Sequence, residues 1–302
     1  MLDSRRGKKF PTSGQPQDWL IADLDIRIHT EQEENSLANW TETTANIAGT
    51  ELVLVKGGTG KPLLVLHDEL GYPGWMTWNE ELARERELMI PLQPGFGKTP
   101  RLDWIRSYRD LGGFYARVLR ELNLDPIDVI GFSAGGFIAA EMAASDPKIF
   151  THMVLVAPMG LKPAEGEIRD IFPLTIRTHL RATVADPTTP EFGKIYGGEM
   201  TPQQFEAFED ARAETARLGW EPYMHNPSLG YLLEGVKNLP TLLVWGQKDT
   251  FVPRGCIEAY QKVIAGAQVA EIPGVGHRPE IENFAEFVRV VNAFLAAEGR
   301  KT

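Results

Sequence analysis

Cysteine, positive charge and long apolar runs are scarce in this 302-residue sequence. Cys256 is the only cysteine, which excludes an internal disulfide and is typical of the reducing cytoplasm. The net charge of −10 argues against a nucleic-acid partner. No apolar run reaches the length of about 18 residues that suggests a membrane-spanning helix, and no apolar segment follows the basic start at 1–10 as in a secretory signal. We therefore expect a cytoplasmic protein without a membrane span.

The sequence does have enough apolar residues, 43%, to bury the core of one large α/β domain. Short apolar segments that suit buried strands alternate with segments of helical periodicity. This alternation predicts a doubly wound, mostly parallel sheet with its ligand site beyond the carboxyl ends of the strands. The predicted strands are 47–56, 63–66, 88–91, 127–130, 153–157, 241–245 and 268–272, and the main helices are 80–87, 107–122, 227–236 and 284–295.

Residues 159–225 interrupt this alternation, because they contain helical segments and no buried strand. An all-helical insertion of this size is expected to form a cap that covers the strand ends and excludes water. Its predicted helices are 168–183, 192–196 and 201–220. The domain plan is an N-terminal extension at 1–45 with a short strand at 23–28, a core of 46–158 and 226–302, and the cap at 159–225.

The strongest chemical signal is Gly131-Phe132-Ser133-Ala134-Gly135, between an apolar strand and an Ala-rich helix. This Gly-x-Ser-x-Gly pattern predicts a sharp strand-to-helix turn that exposes the serine hydroxyl above the sheet. Gly131 and Gly135 leave room at points where a Cβ would collide with neighbouring backbone. Ser133 is therefore the predicted nucleophile. The Ala134 N–H, at the start of the helix, is placed to stabilise a developing negative charge.

A serine nucleophile needs a base, and the base needs an acid that orients it. His277 lies in a glycine-rich loop after the last predicted strand, and Asp249 directly follows the preceding strand. The chain order Ser133, Asp249, His277 is the order expected for the fold in which this serine turn is typical. These three residues are the predicted catalytic triad.

Because of these residues, the chain resembles the α/β-hydrolase fold family. Within that family it is similar to the large group of serine hydrolases with a helical cap. The resemblance covers residues 45–298. It rests on the strand that ends at His67, the loop at 94–97, the turn at Ser133, and the loops of Asp249 and His277. It implies that His67 anchors a loop rather than acting as the base, and that a second oxyanion donor lies two residues after it.

The segment after His67 departs from the family pattern, in which a glycine follows this histidine. Asp68 stands in that place, and by position the Glu69 N–H is the second oxyanion donor, with Leu70 as the fallback. We expect at least one of the two carboxylates to face the pocket, where it would repel anionic substrates. In the alternative, both side chains point to solvent or anchor the loop.

The leading interpretation is a serine hydrolase that cleaves an ester-like bond of a small molecule through an acyl-enzyme, without a cofactor or a metal. One alternative uses the same triad to hydrolyse a carbon–carbon bond of a vinylogous diketone, the meta-cleavage-product type, with an arginine holding a substrate carboxylate. Another is a non-catalytic small-molecule receptor on the same fold. A homo-oligomer is compatible with each of them. The candidate arginines are Arg177, Arg254 and Arg278, and the candidate substrate contacts are Leu70, Trp75, Phe132, Trp220 and Tyr223.

Overall fold

The computed structural model describes residues 27–29, 40–297 and 299, which contain one nine-stranded sheet. The strands are β1 (Arg27–His29), β2 (Trp40–Ile47), β3 (Thr50–Gly57), β4 (Lys61–Leu66), β5 (Arg86–Pro91), β6 (Ile127–Phe132), β7 (Phe150–Val156), β8 (Thr241–Gly246) and β9 (Gln268–Ile272). Their order across the sheet is β1-β2-β3-β5-β4-β6-β7-β8-β9. The six strands from β5 to β9 in this order run parallel, and β1, β2 and β3 form an antiparallel edge. The predicted mostly parallel α/β sheet is thereby confirmed.

Helices cover both faces of the sheet and fill the segment between β7 and β8. They are α1 (Thr77–Ala83), α2 (Tyr108–Glu121), α3 (Ala134–Ser145), α4 (Ile176–Ala182), α5 (Pro190–Tyr196), α6 (Pro202–Gly219), α7 (Leu229–Leu233), α8 (Arg254–Val263), α9 (Pro279–Glu282) and α10 (Phe284–Leu295). In the described part of the chain, no helix is both long enough and apolar enough to cross a membrane.

The apolar core is divided by the sheet, because successive side chains of a strand point to opposite faces. In β4, Leu64 and Leu66 pack into the cluster that includes α2, α3 and α8, whereas Leu63 and Val65 pack into the cluster that includes α1 and α10. The continuous apolar run of this strand is thus buried on both sides, as expected for a central parallel strand.

The segment 47–56, predicted as one strand, is the turn and second strand of a hairpin. Ala48 and Gly49 have φ values of 54° and 83°, and this left-handed pair reverses the chain between β2 and β3. Because β2 begins at Trp40, residues 40–45 of the predicted N-terminal extension belong to the sheet. The predicted strand at 23–28 overlaps β1, and its first four residues lie outside the described ones.

Two predicted helices were too long, each for a local reason. The segment 80–87 includes Arg86, but Arg86 begins β5, where it pairs with Lys61 of β4. The segment 168–183 contains Pro173, and a proline disfavours a helix in the residue before it. The helix there, α4, begins only after the Thr175 side chain caps its first turn by accepting a hydrogen bond from the Thr178 N–H.

The helical insertion lies against the loops that follow β4 and β9. The Thr215 hydroxyl of α6 donates to the carbonyl oxygen of Glu69 at 2.7 Å, and the Arg278 N–H donates to the carbonyl oxygen of Thr183 at 3.1 Å. The backbone N–H of Ala185 adds a 2.9 Å bond to a core carboxylate on α9. These contacts place the insertion at the carboxyl edge of the sheet, where parallel strands present their ligand sites.

The amino ends of the parallel strands, opposite the insertion, carry a buried ion cluster around Asp128 of β6. The Arg86 guanidinium donates to Asp128 at 2.6 Å and to the carbonyl oxygen of Leu295 at 2.8 Å, so it links the sheet to α10. Lys61 and His152 contact the same carboxylate at 2.9 and 2.8 Å. Since a buried charge must be paired, this cluster holds the amino ends of β4, β5, β6 and β7 together.

We predict that Asp128→Asn lowers the free energy of unfolding by about 3 to 5 kcal/mol, because it leaves Arg86 buried without its counter-ion. The measurement is urea denaturation followed by circular dichroism. The control is Glu286→Gln, which removes the carboxylate of the exposed pair with Arg289 and should change stability little. A similar loss in both variants would contradict a stabilising role specific to the Asp128 cluster.

Candidate active site

The turn between β6 and α3 holds the predicted nucleophile in a strained backbone conformation. Ser133 has φ 49° and ψ −109°, on the side of φ that L-residues avoid. A Cβ on Gly131 would lie 2.4 Å from the carbonyl oxygen of Gly135, and a Cβ on Gly135 would lie 2.2 Å from that of Leu66. Both glycines are therefore required by the close approach of β4, β6 and α3. The sharp turn predicted from the sequence has this geometry.

Asp249 and His277 meet beyond the carboxyl ends of β8 and β9. His277 Nδ1 lies 2.8 Å from Asp249 Oδ2. The other carboxylate oxygen, Oδ1, accepts hydrogen bonds from the backbone N–H groups of Phe251 at 2.7 Å and Val252 at 3.0 Å. These bonds fix the carboxylate, and the carboxylate orients the imidazole. Nε2 of the ring has no partner and can accept or donate a proton.

Ser133 Oγ and His277 Nε2 are both buried without a hydrogen-bond partner, so the two atoms are not hydrogen-bonded to each other in this structure. In substrate-free enzymes such bonds are often long and tighten only in the complex. Burial by itself would lower the pKa of His277, but the nearby charges of Asp249, Glu69 and Asp68 raise it to about 9. The imidazole is therefore a stronger base than a free histidine.

The predicted oxyanion donors lie on two different elements. Ala134 is the first residue of α3, where a backbone N–H has no partner within the helix. Glu69 lies in the loop after β4, and Thr215 of α6 holds its carbonyl oxygen. Leu70, the fallback donor, gives its N–H to Asp68 Oδ1 at 2.9 Å and is already engaged. Ala134 and Glu69 remain the candidate donors.

The fold matches that of a known family. The α/β hydrolase fold family matches residues 52–284, a range that includes Ser133, Asp249 and His277. This chain belongs to the α/β hydrolase fold family.

The curated relatives of this α/β hydrolase include two kinds of hydrolase. The 2-hydroxymuconate semialdehyde hydrolase of Pseudomonas sp. (strain CF600) is 28% identical over 271 residues, which cover 82% of this chain and 92% of that protein. Lipase 1 of Psychrobacter immobilis is 27% identical over 290 residues, which cover 88% and 87%. A solved meta-cleavage product hydrolase has a TM-score of 0.69 at 20% identity, covering 83% of this chain and 97% of that one, and thus shares the fold. The relatives support hydrolase activity without distinguishing an ester from a carbon–carbon bond.

Asp68, next to the candidate oxyanion donor Glu69, forms a buried ion pair with Arg278, the residue after His277. Arg278 Nη2 lies 3.1 Å from Asp68 Oδ2, and Arg278 Nε donates to Glu280 at 2.9 Å. The Tyr196 hydroxyl of α5 accepts a further bond from the same guanidinium. Burial raises the pKa of Asp68, and the charge of Arg278 opposes that rise. Arg278 therefore ties the loop after β4, the histidine loop and the insertion to one another.

Glu69 lies beside His179, a histidine of the insertion. Its Oε1 is 3.4 Å from His179 Nε2, and both side chains are almost fully buried. Burial opposes the charge of Glu69, but His179 and His277 lower the pKa of Glu69 to about 2. The carboxylate is therefore ionised at neutral pH. Neither Asp68 nor Glu69 points to solvent: Asp68 anchors its loop, and Glu69 lies near His277.

His67 has the anchoring geometry that the family resemblance implies. Its Nε2 accepts a 3.0 Å hydrogen bond from the Gln93 backbone N–H, and its Nδ1 lies 2.9 Å from the Asp68 carbonyl oxygen. Burial lowers the pKa of His67 to about 4, so the ring is neutral and donates from Nδ1. Both ring nitrogens are thus used, which leaves none for proton transfer to a substrate.

Two of the five predicted substrate contacts border spaces near the site. Leu70 lines a largely apolar cavity of about 190 Å³ between the loop after β4 and helices α5 and α6. Phe132 packs on Trp78 with ring centroids 5.1 Å apart, and borders a void of about 10 Å³ together with Asp68 and Arg278. The larger space is therefore on the Leu70 side.

The other three predicted contacts pack elsewhere. Trp75 stacks on Trp40 of β2 with ring centroids 5.8 Å apart. Trp220 ends α6 and is 61% exposed. The Tyr223 hydroxyl donates to the carbonyl oxygen of Arg169 at 2.6 Å, within the insertion. Large aromatic side chains stabilise packed regions as well as ligand pockets, because both bury apolar area. The sequence alone therefore could not show which of these residues line a pocket.

Of the three candidate arginines, only Arg278 lies at the site. Arg177 is exposed on α4, where its guanidinium is 3.4 Å from the carbonyl oxygen of Gly198. Arg254 forms an exposed pair with Glu271 at 2.7 Å. Among the described residues, no cluster of three or more His, Cys, Asp or Glu side chains is suited to a metal ion.

Sequence reasoning missed His179, which contacts the site from the insertion. Its ring is fully buried and stacks on Phe251 at 5.1 Å, and Phe251 in turn lies 5.4 Å from the His277 ring. His179 shares the apolar face of α4 with Ile176 and Leu180, three and one positions away. A histidine on a buried helical face was the available signal.

We predict that kcat/KM for a neutral ester rises with pH to a plateau with an apparent pKa near 9. The base must be the neutral imidazole, and the raised pKa of His277 keeps it protonated at lower pH. In Asp249→Asn, the main neighbouring charge is lost, so residual activity should titrate at a lower pH. A wild-type apparent pKa at the ordinary histidine value of about 6.5 would contradict the electrostatic description.

Proposed function

We propose that this chain is a serine hydrolase that cleaves an ester-like bond, with Ser133 as nucleophile, His277 as base and Asp249 as the orienting acid. The observation that carries the proposal is the strained position of Ser133 at the start of α3, on the same sheet edge as the His277–Asp249 pair. A non-glycine residue held at positive φ is typical of functional turns.

In the proposed reaction, Ser133 Oγ attacks the ester carbonyl while His277 Nε2 takes the hydroxyl proton. Asp249 stabilises the imidazolium that forms, and the N–H groups of Ala134 and Glu69 stabilise the tetrahedral oxyanion. His277 then gives the proton to the leaving alcohol as the carbon–oxygen bond breaks. Water, activated by the same histidine, attacks the acyl-enzyme and releases Ser133 with the carboxylic acid.

The buried charges around the site support a substrate without negative charge at the reacting end. Asp68 and Glu280 share the guanidinium of Arg278, and Glu69 adds a further carboxylate. A guanidinium between two carboxylates has little attraction left for an anionic substrate. The largely apolar cavity at Leu70 supports an apolar acyl or alcohol group next to the scissile bond.

A second candidate is carbon–carbon hydrolysis of a meta-cleavage product by the same triad. Similarity to the 2-hydroxymuconate semialdehyde hydrolase favours it. The charge distribution disfavours it if the substrate is a dienoate, because such a carboxylate would meet Glu69 and Asp68 rather than a free cation. A non-catalytic receptor, the third interpretation, would bind a small molecule without turnover.

The triad is tested with Ser133→Ala, His277→Ala and the double variant. We expect each single variant to lose at least about 10⁴-fold in kcat/KM on 4-nitrophenyl butyrate, and the double variant to lose no more than either one. A fluorophosphonate should label wild type and the control Ser228→Ala, but not Ser133→Ala. Losses that multiply in the double variant, or labelling that survives Ser133→Ala, would show that these residues do not act together.

The bond is tested with a panel of neutral short-chain esters and 2-hydroxy-6-oxo-dienoates, measured with the same enzyme preparation. We expect the esters to be turned over and the dienoates to react at least about a hundredfold more slowly in kcat/KM, because like charges oppose dienoate binding. Faster turnover of the dienoates would replace the ester proposal by carbon–carbon hydrolysis. Ligand binding without turnover or labelling would support the receptor.

A further inference from the structure

Glu69, unlike the buried carboxylates Asp128 and Asp68, has no lysine or arginine partner. Asp128 is 2.6 Å from the Arg86 guanidinium, and Asp68 is 3.1 Å from that of Arg278. Glu69 is only 1% exposed, and none of the described lysines or arginines lies within 4.0 Å of it. Its Oε2 is buried without a hydrogen-bond partner. Buried polar atoms are normally hydrogen-bonded, so Oε2 can still accept a hydrogen bond from a group outside the chain.

His179 borders Glu69 without satisfying it. The distance of 3.4 Å from Glu69 Oε1 to His179 Nε2 is long for a charge-assisted hydrogen bond, and neither nitrogen of this ring has a hydrogen-bond partner. The ring is held in place by stacking on Phe251, with an interplanar angle of 17°. His179 therefore borders Oε1 and leaves Oε2 without a hydrogen-bond partner.

Glu69 and its unpartnered oxygen lie next to the proposed chemistry. His179, its neighbour, stacks on Phe251, and the Phe251 ring centroid is 5.4 Å from that of His277. The charge of Glu69 is also one of those that raise the pKa of His277. The Glu69 backbone N–H is a candidate oxyanion donor, and the next residue, Leu70, lines the cavity of about 190 Å³. If the Glu69 N–H binds the carbonyl oxygen as proposed, the acyl or alcohol group of the substrate lies near the side chain of the same residue.

We propose that Glu69 is a specificity-determining residue that binds a protonated amine of the substrate, with Oε2 accepting the ammonium N–H. The inference rests on the proposed ester hydrolysis and names its substrate class, esters that carry an ammonium group near the scissile bond. The pairing has a catalytic consequence. A lone carboxylate beside the reaction centre opposes the developing oxyanion, and a substrate cation on Glu69 removes that opposition.

The test compares esters with their neutral isosteres at about pH 7, where an alkyl amine is protonated. On the alcohol side, 2-(dimethylamino)ethyl thioacetate is paired with 3-methylbutyl thioacetate. On the acyl side, 4-nitrophenyl 4-(dimethylamino)butanoate is paired with 4-nitrophenyl 5-methylhexanoate. Each pair differs only in N–H⁺ for C–H, so its ratio of kcat/KM values, after subtraction of spontaneous hydrolysis, reports recognition of the cation.

We expect wild type to prefer the ammonium ester of at least one pair by about tenfold to a hundredfold, the size of a hydrogen bond to a charged group. Glu69→Gln keeps the size and backbone of the residue and should abolish the preference. Glu141→Gln is the matched control, because Glu141 is also fully buried, has an unpartnered Oε2 and pairs with Asn226 rather than with a cation. Its preference should equal that of wild type.

Three results would overturn the inference. Turnover of both members of each pair at equal kcat/KM would remove cation recognition and leave the serine hydrolase proposal standing. A preference that persists in Glu69→Gln would assign it to another residue. No turnover of any ester, together with no fluorophosphonate labelling, would remove both proposals. If Glu69→Gln does not fold, Glu69→Asp takes its place, and a preference unchanged by shortening the carboxylate by one carbon would overturn the assignment.

Discussion

The backbone strain at Ser133 is the constraint on which the site depends. A residue held at φ 49° persists only where its surroundings over-determine it. Here the surroundings are the pairing of β4 with β6, which brings the carbonyl oxygen of Leu66 against Gly135, and α3, whose residues from Ala134 to Ala143 are all buried. Gly136 contributes as well, because a Cβ there would lie 2.9 Å from the Pro158 side chain. The central sheet and the buried helix α3 thus hold Ser133 in place.

Much of this architecture could be predicted because it depends on local patterns. The buried run of β4, the glycines around Ser133 and the loops after β8 and β9 each carry their signal within a few residues. The hairpin of β2 and β3 was missed because its turn, Ala48-Gly49, lacks a strong turn residue at the first position. The late start of α4 was not predicted, because the segment 168–183 has a helical pattern on both sides of the break at Pro173.

The charge environment of the site could not be predicted, because it depends on contacts between distant segments. Asp68 and Glu69 are adjacent in sequence, but one meets Arg278 of the histidine loop and the other meets His179 of the insertion. Which of the two carboxylates has a cationic partner therefore depends on how the loop after β4 turns between Arg278 and His179. Both of these residues are more than a hundred positions away in the sequence. No local pattern distinguishes the two carboxylates. Aromatic residues such as Trp75 and Tyr223 were equally ambiguous, since their neighbours decide whether they face a pocket or a core.

Arg278 links the insertion directly to the loop that carries His277. Its N–H holds the carbonyl oxygen of Thr183, its guanidinium reaches Tyr196, and its backbone is joined directly to His277. In this chain a grafted cap would have to supply the acceptors at both positions, or the histidine loop would lose its outer support. The contacts of Arg278 therefore restrict which inserted segments this core could carry with the position of His277 unchanged.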